Sequence, residues 1–294
     1  MSQTSANKPT AKKSARKKGK KKHTFLKIAA LLLVIWWFNN FTMKTEYCRL
    51  TSPKLTSELR LAVIADLHSE GGGISNDSIV EAVECEKPDA VFFLGDMFSY
   101  DSSEEARNVP VELAVMLIAK GFPVYFVTGE HDCYDDSYIT RMTEAGAVYV
   151  SYTDEYLTVK ENKLHIMGIN NVYYGSEFSL ANEFANEADC FNIMLAHIPN
   201  YDCFAEFGAD LTICADTHGG MAQIPLGGGP VYDTETGAWF PEFRYPDQKV
   251  YDKGFFKYDG GGMFISAGLG TSPAPVRFNN RPEVDIIEIK PSQE

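Results

Sequence analysis

The 294-residue sequence predicts an α/β fold in which two sheets pack together, preceded by one transmembrane helix. Three observations carry that expectation. Apolar runs of strand length alternate with helical patterns between Leu59 and Val127, the order strand, helix, strand, helix, strand that parallel pairing produces. A second series of apolar runs from Leu164 onward reads as a second sheet layer. Ahead of both, an apolar segment follows a basic tail.

Nine of the 27 Lys and Arg lie between Lys8 and Lys22, and no acidic residue precedes Glu46. Residues 1–23, rich in Lys, Ser, Ala and Gly, cannot bury an apolar face and are expected to be disordered. The apolar run Ile28 to Phe38 extends to nineteen residues, Phe25 to Met43, if Lys27 snorkels and the Asn39-Asn40 pair lies at the interface. A helix needs about 20 residues to cross a bilayer, whereas signal-peptide cores are often about 10–14. Asn39 to Cys48 offers no Ala-x-Ala cleavage pattern, and no lipobox precedes Cys48. Residues 24–43 therefore read as an uncleaved signal anchor, with a cleaved signal peptide as the alternative. With the basic tail kept in the cytoplasm, the chain is expected to be a single-pass protein of the cell membrane whose body is extracytoplasmic. Residues 44–58 read as a polar stem and 59–294 as the folded domain.

The body is organised around Leu61 to His68, where Leu-Ala-Val-Ile-Ala runs straight into Asp66 and His68. Alternate residues at a strand end point to one side, so both side chains can reach one cation. Asn76 or Asp77 caps a helix through Ile79, Val80, Ala82 and Val83, which Pro88 ends. Ala90 to Leu94 is the second buried strand and leads into Gly95-Asp96. Ser102 to Lys120 is helical by pattern, broken or kinked near Pro110, and Pro123 to Val127 is a third strand leading into Gly129-Glu130-His131-Asp132. Three successive strands thus deliver polar residues at their carboxyl ends, the edge where open α/β sheets place their sites.

In the second half, Leu164 to Ile169 is a strand whose His165 reads as structural. Phe191 to Leu195 ends in Ala196-His197, and Leu211 to Cys214 ends in Ala215-Asp216-Thr217-His218-Gly219-Gly220. Gly227 opens a long irregular stretch containing Trp239, Phe240, Phe243 and Tyr245, after which Gly261 to Ser266 and Val284 to Ile289 close the fold as strands.

Charge excludes one class of partner. Beyond the tail, 18 basic residues stand against 40 acidic, a balance of −22 that repels a polyanion and argues against nucleic-acid binding. The six cysteines show no C-x-x-C spacing, so they do not read as a zinc knuckle or redox motif; Cys85 and Cys214 sit in apolar contexts and read as core.

Taken in order, Asp66-x-His68, Gly95-Asp96, Gly129-Glu130-His131, His197 and Thr217-His218-Gly219-Gly220 resemble the calcineurin-like metallophosphoesterases over about Leu59 to Ile289. Ser266-Ala-Gly-Leu-Gly-Thr-Ser and Val276-Arg-Phe-Asn-Asn-Arg-Pro-Glu283 look like the bacterial membrane-associated branch, whose relatives include UDP-2,3-diacylglucosamine hydrolases. The resemblance implies a four-layer α-β-β-α sandwich of two mixed sheets. It implies that Asp66, His68 and His218 hold a first metal, that Asp96 bridges, and that residues 130, 197 and 216 hold a second. His131 would then be the acid that protonates the leaving oxygen or steadies the transition state. Two cations about 3.5–4 Å apart clamp a phosphate and lower the pKa of a bridging water.

Two departures fall on the second metal. Glu130 stands where the family usually has Asn, and Asp216 where it usually has His. Both put a carboxylate in place of a neutral ligand, which favours hard ions: manganese first, with iron, magnesium or zinc as alternatives. Four carboxylates just neutralise two divalent ions, so a singly charged phosphodiester is favoured relative to a phosphate dianion. The expected function is a membrane-anchored phosphoesterase that uses a metal-activated water on a phosphodiester or lipid-linked phosphoester. The alternatives are a non-catalytic envelope scaffold with a degenerate metal site and a soluble nucleotide phosphodiesterase. Arg277 and Arg281 are candidates for holding phosphate oxygens or a lipid head group, or equally for structural ion pairs. Asp132 is expected to orient His131 by a hydrogen bond.

Overall fold

The computed structural model describes residues 11–69, 73–170, 179–223, 251–271 and 276–292, with side chains described from residue 22. Gly71, Gly72 and the irregular stretch from Gly227 through Tyr245 lie outside the described residues. The chain divides into two units, Met1–Phe38 and Asn39–Glu294.

The first unit contains most of α1 (Ala11–Phe41). Within α1, the span Lys22–Phe41 contains an 18-residue window with a mean hydropathy of 1.5 and is long and apolar enough to cross a bilayer, and Leu31, Leu32, Leu33 and Val34 are exposed. The helix begins at Ala11, inside the segment expected to be disordered. Ala, Lys and Arg are good helix formers, and no proline interrupts residues 11–23, so composition that forbids a core still permits a helix.

The second unit is built on two six-stranded sheets. The first has the order β1 (Lys44–Ser52), β12 (Glu283–Pro291), β2 (Leu59–Ile64), β3 (Ala90–Phe93), β4 (Val124–Phe126), β5 (Val148–Tyr149). Only the β12–β2 pair in it is antiparallel. The second runs β10 (Gly254–Tyr258), β11 (Gly261–Ile265), β9 (Leu211–Cys214), β8 (Phe191–Leu195), β7 (Asn162–Gly168), β6 (Thr153–Val159), antiparallel at its two outer pairs and parallel between them.

Strand alternation decides which layer each side chain enters. Leu59, Leu61 and Val63 point between the sheets and meet Leu164, Ile166, Ile193 and Ile213. Their neighbours Ala62 and Ile64 point the other way, against Ile79 and Val83 of α2 (Asn76–Glu86) and Leu113 and Leu117 of α3 (Glu104–Ala119). On the second sheet's outer face, Met194 and Ile265 pack with Phe204 of α5 (Tyr201–Phe207). These three apolar layers separate four structural ones, giving the α-β-β-α sandwich with two mixed sheets. Each fully buried Leu or Ile contributes about 1.5–3 kcal/mol to that arrangement.

Residues 44–58 are not simply a stem. Lys44–Ser52 is an edge strand pairing along its whole length with β12, so the folded unit reaches back ahead of Leu59. Its sequence hides this: Cys48 and Ser52 are buried while Glu46, Tyr47 and Arg49 face solvent, a polar pattern suited to a sheet edge. The cap of α2 is Ser75, one residue before the expected cap, with its hydroxyl accepting from Ser78 N. Cys85 is exposed on the outer face of α2, whereas Cys214 is buried as expected.

Pro110 does not break α3. A proline there cannot donate to the carbonyl four residues back, and the freed Ala106 oxygen accepts instead from Ser69 Oγ at 2.6 Å. The helix is thereby tied to the loop carrying His68. A nine-residue helix, α4 (Asp136–Glu144), was not anticipated; Asp135 caps it through Tyr138 N at 2.9 Å.

Candidate metal centre

The loops leaving β2, β3, β4, β8 and β9 converge at one edge. Those after β2 and β3 run side by side, with Asp66 N donating to Gly95 O (3.1 Å) and His68 N to Asp96 O (3.2 Å). Asp66, His68, Asp96, Asp216 and His218 all have left-handed backbones, with φ of 48°, 40°, 51°, 70° and 49°. L-residues reach that region at a cost and persist there where the surroundings hold them, as they do at functional sites.

Asp66, Asp96 and His197 present ligand atoms within 4.8 Å of one another, and so do Asp96, Glu130 and His131. Asp96 Oδ2 is 3.3 Å from His197 Nε2, 4.0 Å from His68 Nε2 and 3.8 Å from His131 Nε2. His68 Nε2 faces His218 Nε2 at 3.3 Å, and Asp216 Oδ1 is 3.7 Å from His197 Nε2. Asp96 thus lies within 4.0 Å of His68, which faces His218, and of His197, which lies beside Asp216.

Backbone and hydroxyl partners orient the rings. His197 Nδ1 donates to Leu94 O at 2.7 Å, and His68 Nδ1 pairs with Ser99 Oγ at 3.2 Å, so each turns Nε2 toward the cluster. His131 Nδ1 accepts from Tyr100 N at 3.1 Å, which puts the proton of its neutral ring on Nε2. Ser99 and Tyr100 gave no signal in the sequence beyond their closeness to Asp96.

Asp132 does something other than expected. Its Oδ2 accepts from Met97 N (2.9 Å) and its Oδ1 from Gly129 N (2.6 Å), so it fastens the β3 loop to the β4 loop instead of orienting His131. At Gly129 the backbone passes so close that a Cβ would overlap Asp96 Oδ1 and sit 2.8 Å from His197 Nε2. The two arginines make contacts of the structural kind, one of the two roles the sequence leaves open. Arg281 donates to Thr42 Oγ1 (3.0 Å) and Met43 O (2.5 Å), and Arg277 is 1% exposed with its Nη2 3.5 Å from His218 Nδ1. Arg281 is thus engaged with residues 42 and 43 just after α1, and Arg277 is enclosed behind His218. His165 is buried between Asn192 and Asp154.

Electrostatics match a site built for cations. Burial pushes the Asp66 carboxyl up to about 8, opposed by His197 and reinforced by Asp96 and Asp216. Burial lowers His68 to about 4 against the pull of Asp96, and lowers His218 well below its usual value with help from His68 and Arg277. For Asp96, burial works upward, but His197, together with His68 and the His131 backbone N–H, outweighs it and holds the carboxylate well below the usual range. His197 is raised correspondingly, burial being overcome by Asp96 together with Asp66 and Asp216. Asp216 keeps 29% of its side chain exposed, and partial burial, opposed by His197, moves it up to about 6.

The donor set fits divalent cations. Asp66 Oδ2 and His197 Nε2 are buried and have no hydrogen-bond partner among the described residues. Two ligands about 2.0–2.1 Å from one cation stand about 3.0–3.4 Å apart. The His68–His218 and Asp96–His197 separations, both 3.3 Å, match that spacing.

The sequence profile of the calcineurin-like phosphoesterases matches residues 59–220, more than half of the chain. The chain belongs to that family. This calcineurin-like phosphoesterase is 23% identical to the metallophosphoesterase YkuE of Bacillus subtilis over 219 residues, covering 72% of either chain. It is 24% identical to the phosphodiesterase YaeI of Escherichia coli over 239 residues, 78% of this chain and 82% of that one. Among solved structures, the NAD nucleotidase of Haemophilus influenzae is similar with a TM-score of 0.45 and 16% identity, covering 72% of this chain and 45% of the other. The calcineurin-like phosphoesterase described here is a metal-dependent hydrolase of phosphoric esters.

Proposed function

We propose that the protein is a membrane-anchored phosphodiesterase using two divalent cations, manganese by preference, on a lipid-linked phosphoester at the outer face of the membrane. The observation that carries the reading is the place of Asp96, whose Oδ2 lies within 4.0 Å of both His68 and His197. Asp66, His68, Asp96 and His218 would hold the first cation; Asp96, Glu130, His197 and Asp216 the second. When bound, the pair supplies charge to bind and polarise phosphate and to acidify water.

The chain's own residues supply the rest. His131 carries its proton on Nε2, 3.9 Å from Glu130 Oε1, where it is able to pass it to a leaving oxygen. Tyr100 N fixes that tautomer, and the bonds from Met97 and Gly129 to Asp132 keep the two loops in register. Four carboxylates, Asp66, Asp96, Glu130 and Asp216, lower the net positive charge that a phosphate meets, which favours diesters over dianionic monoesters. The relative named a phosphodiesterase supports the same preference. The 20-residue apolar span behind a basic tail supports an anchor whose basic end stays cytoplasmic.

The test uses the full chain in detergent. Hydrolysis of a chromogenic phosphodiester, the matching monoester and a lipid-linked phosphodiester is compared with manganese and with zinc. The reading expects diester above monoester, manganese above zinc, and a shift of both ratios in the opposite direction in the Glu130→Asn, Asp216→His double variant. Equal preferences in wild type and variant would remove the carboxylate argument, and hydrolysis of soluble nucleotides alone would remove the lipid one.

A further inference from the structure

The segment that leaves the apolar helix is bonded to the back of the metal centre. Asn40, in the last turn of α1, is 2% exposed, and its amide makes two hydrogen bonds with the backbone of one residue. Arg277 N donates to Asn40 Oδ1 at 2.8 Å, and Asn40 Nδ2 donates to Arg277 O at 3.0 Å. Four residues on, Arg281 holds Thr42 and Met43. The strip 277–281 is therefore fastened to residues 40–43 at both ends.

From that fixed backbone, Arg277 sends its guanidinium inward. Nε donates to Gly270 O and Nη2 to Ala267 O, both at 2.7 Å, and Nη2 also lies against His218 Nδ1. Both carbonyls belong to the turn after β11, which lies on two further site residues. A Cβ on Gly268 would stand 2.6 Å from Asp66 Oδ2, and one on Gly270 would stand 2.9 Å from His68 Cβ. Gly270 N also donates to Asp66 O at 2.5 Å. One enclosed side chain thus touches His218 and backs Asp66 and His68. A buried guanidinium is costly to desolvate, and a planar fork is the group that can hold two carbonyls in fixed relation.

We infer that Asn40 and Arg277 are positioning residues for the first cation site, so that the last turn of the anchor is part of the active-site scaffold and not a removable leader. This rests on the proposed metal reading and goes beyond it: Asn40 acts through Arg277, and Arg277 through the turn and His218. Cleavage between Asn40 and Lys44 would leave Arg277 N and O without the Asn40 amide that holds them.

The test compares full-length wild type, Asn40→Ala, Asn40→Asp and Arg277→Lys in detergent micelles. Manganese affinity is read by chelator competition, turnover by a chromogenic phosphodiester, and folding by the melting temperature of the chelated protein. Loss of such outer contacts weakens metal binding about 10- to 100-fold. Asn40→Ala is expected to weaken one of two ions by that factor, to lose turnover at low manganese and to regain it at high manganese with KM unchanged. Asn40→Asp, which keeps the acceptor for Arg277 N, should fall between. If Asn40→Ala does not fold, Arg277→Lys gives the same readout while keeping the charge. Wild-type affinity for both ions in the variants overturns the positioning role alone. Equal weakening of both ions with a fall in melting temperature, unrescued by manganese, also overturns it. A wild type that binds no ion overturns the metal reading itself and the positioning role with it.

Discussion

His68 and His218 are 150 positions apart in the chain and bring their Nε2 atoms to 3.3 Å. If that approach exists to share a cation, His218→Ala should leave the fold intact, remove one of two bound ions and lower turnover by about 10²-fold or more, the scale of losing a metal-held electrostatic stabiliser. Metal analysis after gel filtration checks this. A variant retaining the full complement would show that the two rings meet for packing alone.

Gly129 passes hard against two site residues, Asp96 and His197. Gly129→Ala should displace Asp96 or His197, because the added methyl overlaps the first and crowds the second. The expected result is a large loss of manganese affinity with a near-native circular dichroism spectrum. Unchanged affinity would mean that the β4 loop moves aside freely.

Asp132 gives a prediction about stability. Replacing it by Asn leaves one oxygen to serve two backbone donors and turns an amide donor toward the other, so about 2 kcal/mol should be lost. Denaturant titration of the chelated protein measures it. A midpoint unchanged from wild type would remove Asp132 as the tie between the loops.

The pH dependence of the chelated protein follows from the shifted groups. Burial, against His197, raises Asp66 to about 8, and burial of His197 is overcome by Asp96, Asp66 and Asp216 together, which raise it. The folded state therefore keeps both protons longer than the unfolded chain, and stability falls as pH rises toward the folded values. Burial lowers His68 to about 4, so its contribution falls as pH drops from about 6.5 to 4. Below about 6.5 the terms oppose; between about 6.5 and 8 only the downward one acts. Melting temperature without metal should drop across that interval, while the stabilisation that manganese adds should grow as protons cease to compete. A metal-free chain that gains stability from pH 6.5 to 8 would contradict this.

Much of the centre could be read from the chain because the buried strands that lead into it announce themselves. Leu61–Ala65 and Ala90–Leu94 are uninterrupted apolar runs, and the polar residues that follow them fall on the same edge. β1 was not legible, because an edge strand with one exposed face reads as polar linker until β12 is known to lie beside it. Arg277 was legible as an unusual residue but not in its role, since nothing between Val276 and Phe278 tells which way the guanidinium turns. Asp132 was misassigned for a related reason: its neighbour in sequence is His131, yet its partners are Met97 and Gly129.

The most direct measurement counts manganese per chain in the purified full-length protein and in Asp96→Asn, with phosphodiester hydrolysis followed in the same samples. Two ions and turnover in the wild type, with both reduced together in the variant, is the predicted result. Asp96→Asn that keeps its metal and its activity would contradict a centre built around that carboxylate.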